Sequence, residues 1–181
     1  MTETKEVRGP VRKLAWLTRH ALGMPMWKIA TNAAGYLDVA WILKQTGLTA
    51  DTLAALVKAE GERYEYNKSK TKLRATYGHS IGVMKHIDPA KLFTLIEPDV
   101  VYTSVNERTL AEVLKTGLAA IKGRAYILLS TKPYTPKTGY VALSIDAKSA
   151  RANGIKFYST GEVVSTLGTY RRLDPKYVTQ T

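Results

Sequence analysis

Between residues 10 and 22 the apolar side chains Val11, Leu14, Ala15, Leu17 and Leu22 recur at steps of three and four, which predicts an amphipathic helix. Pro10 suits its first position, and Gly23-Met24-Pro25 should end it. The same period returns after Asp38, where Val39, Ile42 and Leu43 would face inward and Gly47 would follow the helix end. A third helix is predicted from Thr49 or Asp51, burying Leu53, Leu56 and Val57 and stopping at Gly61. The period then falls to two. Tyr64 and Tyr66 alternate with polar residues, Asn67-Lys68-Ser69-Lys70 makes a turn, and Leu73, Ala75 and Tyr77 alternate again, as in a hairpin.

Pro89 and Pro98 flank a short apolar stretch, so a boundary is expected between about Asp88 and Asp99, giving lobes 1–88 and 99–181 with a linker at about 89–98. Beyond it the elements mix. Val100-Val101-Tyr102 reads as a strand and Glu107 to Thr116 as a helix closed by Gly117. Tyr126 to Leu129 and Tyr140 to Ile145 read as buried strands, and Asp146 should cap a short helix ending at Gly154. Strands at Ile155 to Tyr158 and Val163-Val164 complete an α+β half with a mostly antiparallel sheet.

Composition narrows the options. Of 181 residues, 45% are apolar and 23% charged, a globular balance, and no apolar run is long enough for a membrane span. The polar start Met1-Thr2-Glu3-Thr4-Lys5-Glu6 lacks the apolar centre of a secretory signal, and the absence of cysteine fits a reducing, cytoplasmic setting. With no cysteine and only His20, His79 and His86, no metal site is expected. The net charge of +12 attracts polyanions, so nucleic acid is the first partner to consider against a merely solubilising surface. Three helices followed by a hairpin whose turn carries Lys68, Lys70 and Lys72 is the layout of a winged helix with a basic wing.

The chain shows no Gly-x-Ser-x-Gly elbow and no phosphate-binding glycine-rich loop. Gly78-His79-Ser80-Ile81-Gly82 lacks the lysine and following helix of such a loop. Arginine placed near histidine stands out instead: Arg19-His20 at the end of the first helix, and Arg74 ahead of Gly78-His79-Ser80. Arg124 precedes a buried strand. Guanidinium forks match phosphate oxygens and stay charged, and histidine moves protons near neutral pH. Arg12 lies seven residues before Arg19, which on a regular helix places both on one face. Taken singly, each has a plainer reading: a solvated charge at a helix end for Arg19, a structural histidine for His20, a turn cap for His79, and wing packing for Tyr64, Tyr66 and Tyr77.

In order along the chain, Leu14-Ala15-Trp16-Leu17-Thr18-Arg19-His20, Gly35-Tyr36-Leu37-Asp38-Val39, Arg63-Tyr64, Leu73-Arg74-Ala75 and Gly78-His79-Ser80 resemble the motifs of the RNA 2′-phosphotransferases of transfer RNA splicing. Leu110 to Leu118, Ser144-Ile145-Asp146-Ala147 and Gly154-Ile155-Lys156-Phe157-Tyr158 extend the resemblance from about Val11 to Val178. It implies an α+β, bilobal protein: an N-terminal winged-helix RNA-binding lobe and a C-terminal ADP-ribosyltransferase-like lobe that binds NAD. It also implies a reaction in which the RNA 2′-phosphate attacks C1 of the nicotinamide ribose of NAD, expelling nicotinamide and leaving an ADP-ribosylated phosphate on the RNA. A neighbouring hydroxyl then releases RNA with a free 2′-hydroxyl and ADP-ribose 1″,2″-cyclic phosphate. By resemblance the catalytic roles fall on Arg19, His20, Arg74 and Arg124, RNA phosphate binding on His79 and Ser80, and NAD contacts on Tyr102, Ser104 and Ser130; Arg12, by its spacing from Arg19, is a further candidate for RNA phosphate.

The chain departs from the family pattern on the NAD side. Tyr102-Thr103-Ser104-Val105-Asn106 stands for Tyr-His-Gly-Thr-Ser, and Tyr126-Ile127-Leu128-Leu129-Ser130 for His-x-His-Leu-Ser. Three functions follow. They are an NAD-dependent RNA 2′-phosphotransferase, a non-catalytic RNA-binding relative in a ribonucleoprotein, and an ADP-ribosyltransferase acting on terminal phosphates. A DNA-binding winged helix is weaker, because the anion-binding residues lie on the first helix and after the wing.

Overall fold

A computed structural model describes residues 5–21, 32–133, 135–161, 163–166 and 172–181. The expected helix stop at Gly23-Met24-Pro25 lies outside the described residues. The chain divides into two compact units, the first ending at Leu92 and the second beginning at Phe93.

In the first unit, α1 (Lys5–Trp16) starts earlier than its apolar period suggests and passes directly into a π-helical turn, Leu17–Ala21. The Thr18 hydroxyl donates to the Leu14 carbonyl at 2.9 Å inside the transition, a back-bond that eases the backbone off α geometry. The wider turn shifts the helical phase. Arg12 is therefore exposed while Arg19 is buried, and the shared face expected from their seven-residue spacing is not formed.

β1 (Leu37–Asp38) leads into α2 (Val39–Thr46), whose N-cap Asp38 accepts from the Trp41 amide at 3.1 Å and whose left-handed C-cap is Gly47. α3 (Ala50–Ala59) is capped in the same way by Thr49. The hairpin follows as β2 (Tyr64–Tyr66) and β3 (Lys72–Ala75), with β3 central between β1 and β2. Leu73 faces Leu37, and Arg74 faces Glu65. Asn67 closes the turn: its side-chain oxygen accepts from the Lys72 amide at 2.8 Å and its amide donates to Ser69 at 2.9 Å, which leaves Lys68 and Lys70 exposed. α4 (Ile81–Met84) and α5 (Pro89–Leu92) end the unit.

The second unit is built on a seven-stranded sheet of order β12-β8-β5-β7-β10-β9-β4, and every pairing among its described strands is antiparallel. Its strands are β4 (Thr94–Ile96), β5 (Val100–Asn106), β7 (Leu128–Ser130), β8 (Tyr140–Asp146), β9 (Phe157–Thr160), β10 (Val163–Thr166) and β12 (Val178–Gln180). A two-stranded ladder joins β6 (Leu118–Ala119) to β11 (Arg172–Leu173). α6 (Glu107–Thr116) follows β5, and α7 (Ala147–Ala152) follows β8. Val101, Leu143, Ile145, Phe157, Val164 and Leu173 have no exposed surface and form the centre of this unit's core. The fold is α+β with mostly antiparallel sheet. The segment read as a linker carries α5 and β4, and Leu92 and Phe93 within it are both buried.

Asp146 caps α7, accepting from the Ser149 amide at 2.8 Å and from its hydroxyl at 2.6 Å. Those hydrogen bonds hold the carboxyl below its ordinary value. A depressed carboxylate contributes stability above its unfolded-state value and loses it as pH falls through the folded one. Urea midpoints measured from neutral pH down into the acid range should therefore fall less steeply for Asp146→Asn than for the wild type. Parallel curves would show that the cap carries no pH-dependent stability.

Candidate functional site

Arg19 sits on the π turn with its guanidinium over two phenol rings, 5.8 Å from the Tyr64 centroid and 5.3 Å from that of Tyr77. The residue is 8% exposed. A buried cation is costly unless its surroundings compensate, and stacked tyrosine faces supply part of that compensation. Tyr64 is placed by the hairpin, opposite Ala75, and Tyr77 by the end of β3 and a side-chain hydrogen bond with Arg63. Arg63 in turn pairs with Glu60. Burial raises the Tyr64 hydroxyl's pKa, while Arg19 and Arg63 oppose that rise. The alternating tyrosines of the hairpin thus do more than pack it: two of them form the seat of Arg19.

His20 is the next residue of the same turn and is half-buried. The π turn packs against β3 and α4. The first contact sets it beside the strand that carries Arg74, and the second beside the segment that carries Ser80. A backbone bond from the Ser80 amide to the Arg19 carbonyl, 3.0 Å, ties that segment to the turn. Gly78, at φ +87°, provides the left-handed bend that brings the chain back to it. His79 has no exposed surface. Ser80 is the N-cap of the four-residue α4 without a side-chain cap bond.

Arg74 is held on several sides. Its Nε and Nη2 both donate to Glu65 Oε2, at 2.9 and 2.7 Å. Nη1 donates to the carbonyls of Ala34 at 3.1 Å and Lys91 at 2.9 Å, and the guanidinium lies 4.5 Å from the Tyr36 ring centroid. The Arg74 side chain is 11% exposed and that of Glu65 48%. Burial raises the Tyr36 hydroxyl's pKa first, Arg74 lowers it and Glu65 raises it. Tyr36 belongs to the Gly35–Val39 motif without an assigned role there, and Glu65 belongs to no motif; only the cross-strand register, invisible without the turn length, reveals Glu65.

In the second unit Arg124 and Ser104 line one cavity of about 260 Å³. Thr103, Asn106, Thr109 and Tyr140 give it polar edges, and Leu118, Ile121 and Leu128 are among its apolar walls. Tyr102 and Ser130 are direct partners across β5 and β7 and do not line it. The Ser130 hydroxyl donates to the Lys132 carbonyl at 2.8 Å and accepts from its amide at 3.0 Å, which spends it on a turn. Tyr126 is buried edge-to-face against Phe93, with ring centroids 5.5 Å apart. Among the described residues no cluster of His, Asp or Glu could hold a metal ion. Among those residues no helix is long and apolar enough to cross a membrane.

Comparison with known proteins gives one consistent result. The family model described as "RNA 2′-phosphotransferase, Tpt1 / KptA family" matches residues 5–166. A probable RNA 2′-phosphotransferase of Fusobacterium nucleatum is 31% identical over 54% of this chain and 55% of its own length. Probable RNA 2′-phosphotransferase 1 of Archaeoglobus fulgidus is 32% identical over 62% of this chain and 52% of its own. A probable RNA 2′-phosphotransferase of Nostoc punctiforme is 24% identical over 89% of this chain and 88% of its own. The chain thus spans between half and two thirds of the length of the first relatives it matches.

Proposed function

The chain belongs to the RNA 2′-phosphotransferase, Tpt1 / KptA family, and from that premise we propose that it removes an internal 2′-phosphate from spliced RNA, transfer RNA foremost, with NAD as co-substrate. The observation that carries this reading is Arg19, a nearly buried guanidinium over two tyrosine rings on the same turn as His20. Such a cation is pre-arranged for an anion and loses little freedom on binding it. Arg19 and Arg74 neutralise the phosphate dianion, and His20 holds it and moves a proton when the neighbouring hydroxyl attacks phosphorus. Arg12 and Ser80, both with surface exposed, contribute further phosphate contacts. The helices and hairpin of the first unit act as a winged-helix RNA lobe with the lysine-bearing turn as its wing.

The second unit is read as the ADP-ribosyltransferase-like lobe. Its cavity has the mixture a nucleotide needs, one guanidinium and several hydroxyl and amide groups on apolar walls. Arg124, Ser104 and Asn106 would hold NAD there, and Tyr102 and Ser130 would support the strands behind it. When bound, NAD supplies the electrophilic ribose carbon to which the phosphate is transferred. No metal is required in this scheme, and a cytoplasmic setting follows from the two substrates.

A second reading is favoured by the NAD-side strand itself. Tyr126 and Leu128 replace two family histidines with a buried ring and an aliphatic wall. On that reading the chain binds RNA, within a ribonucleoprotein, without turning over NAD. Incubating the protein with a short RNA carrying one internal 2′-phosphate, with and without NAD, separates the two. We expect NAD-dependent loss of the phosphate. Tight RNA binding with no product over hours would reject the enzyme in favour of the binding protein.

A further inference from the structure

Glu65 occupies the anion-binding edge of Arg74. The Nε–Nη2 edge of a guanidinium is the one that grips an oxyanion with two parallel N–H groups, and here both donate to a single carboxylate oxygen. The opposite edge is fixed to the carbonyls of Ala34 and Lys91. Arg74 therefore cannot turn to offer a fresh fork without breaking backbone contacts. Glu65 is the member that can leave: its side chain is 48% exposed on β2, where it also hydrogen-bonds Tyr36, whereas that of Arg74 is 11% exposed on the central strand.

We propose that Glu65 is a specificity-determining residue, an internal stand-in for the substrate phosphate that an incoming dianion must displace from Arg74. The inference rests on the reading of Arg74 as a 2′-phosphate ligand. RNA offers a singly charged diester at every nucleotide, and exchanging one monoanion for another on the fork gains little. A 2′-phosphate monoester carries nearly two charges at neutral pH and wins the exchange. In the resting protein the carboxylate also keeps Arg74 neutralised and aligned, so the strand pair survives without substrate.

The test is the affinity of Glu65→Gln for a short RNA bearing one internal 2′-phosphate, measured without NAD beside an unmodified control RNA. Asp51→Asn, which removes one exposed negative charge from α3 of the same unit, serves as the charge control. Affinity for the 2′-phosphate RNA should rise about tenfold in Glu65→Gln and no more than about twofold in Asp51→Asn, since a weakened competitor frees the fork. Glu65→Asp, too short to keep both bonds to Arg74, should move the same way if the amide variant fails to fold. Unchanged or weaker binding would reduce Glu65 to a strut for Arg74, and an equal gain in Asp51→Asn would reduce the effect to net charge. Should the wild type show no preference for the 2′-phosphate RNA, the functional reading falls and this inference with it. A clear preference with a flat Glu65→Gln response sinks the inference alone.

Discussion

Alanine in place of Arg19 should slow removal of the RNA 2′-phosphate by roughly 10²–10³-fold, the usual loss when one pre-arranged donor to developing charge is deleted. The effect is expected to be large because nothing mobile can replace it. Arg19 is seated by the π turn from one side and by Tyr64 and Tyr77 from the other. Its removal also takes away one of the two cations that oppose the burial-driven rise of the Tyr64 hydroxyl's pKa. Lysine should recover part of the rate, since it restores charge but not the planar fork. Single-turnover rates with 2′-phosphorylated RNA and saturating NAD, set beside thermal melts of each variant, would separate lost chemistry from lost structure. A folded Arg19→Ala protein working at wild-type speed would make Arg19 a purely structural cation.

The largest stability loss is expected at Gly117. It closes α6 at φ +90°, its amide donating to the Val113 carbonyl at 2.8 Å, and leads at once into β6. A methyl group added there would lie 2.0 Å from the Leu173 carbonyl oxygen and 3.1 Å from Pro175. Leu173 is wholly buried and paired with Leu118, so the obstacle is backbone and cannot swing aside. Strain at positive φ and the displaced strand together should cost about 3 kcal/mol. For a chain of this size that lowers the melting temperature by roughly 10 °C. Calorimetry of Gly117→Ala would check it. A loss below about 1 kcal/mol would show that β11 gives way cheaply, against its buried packing.

Local chemistry made much of the fold legible. α2 and α3 announce themselves by apolar period and by the residues Asp38 and Thr49, which cap within three residues of their targets, and α6 by the Gly117 that closes it. The Tyr64–Ala75 hairpin shows in the same way through alternation around Asn67. The π turn is hidden, because Leu17, Thr18 and Ala21 suit an α-helix equally well and only tertiary packing selects the wider turn. β5 runs on to Asn106 where the apolar pattern stops at Tyr102, since its later residues face a cavity and need not be apolar. β6 and β11 are two-residue strands defined only by each other. Among site residues, Arg19, His20 and Arg74 are readable as a motif, whereas the bond between Arg74 and Glu65 requires knowing which residues stand opposite each other. Tyr102 and Ser130 were named from motif position, which says nothing of which side of a strand lines the cavity.

The seven-stranded sheet ends in β4 on one side and β12 on the other, each only three residues long. A chain with a net charge of +12 that collects on a polyanion would be crowded against copies of itself, the circumstance in which exposed strand edges template intermolecular pairing. Borders this short offer a neighbouring molecule few backbone groups to copy, so crowding along a polyanion need not seed aggregates from this sheet.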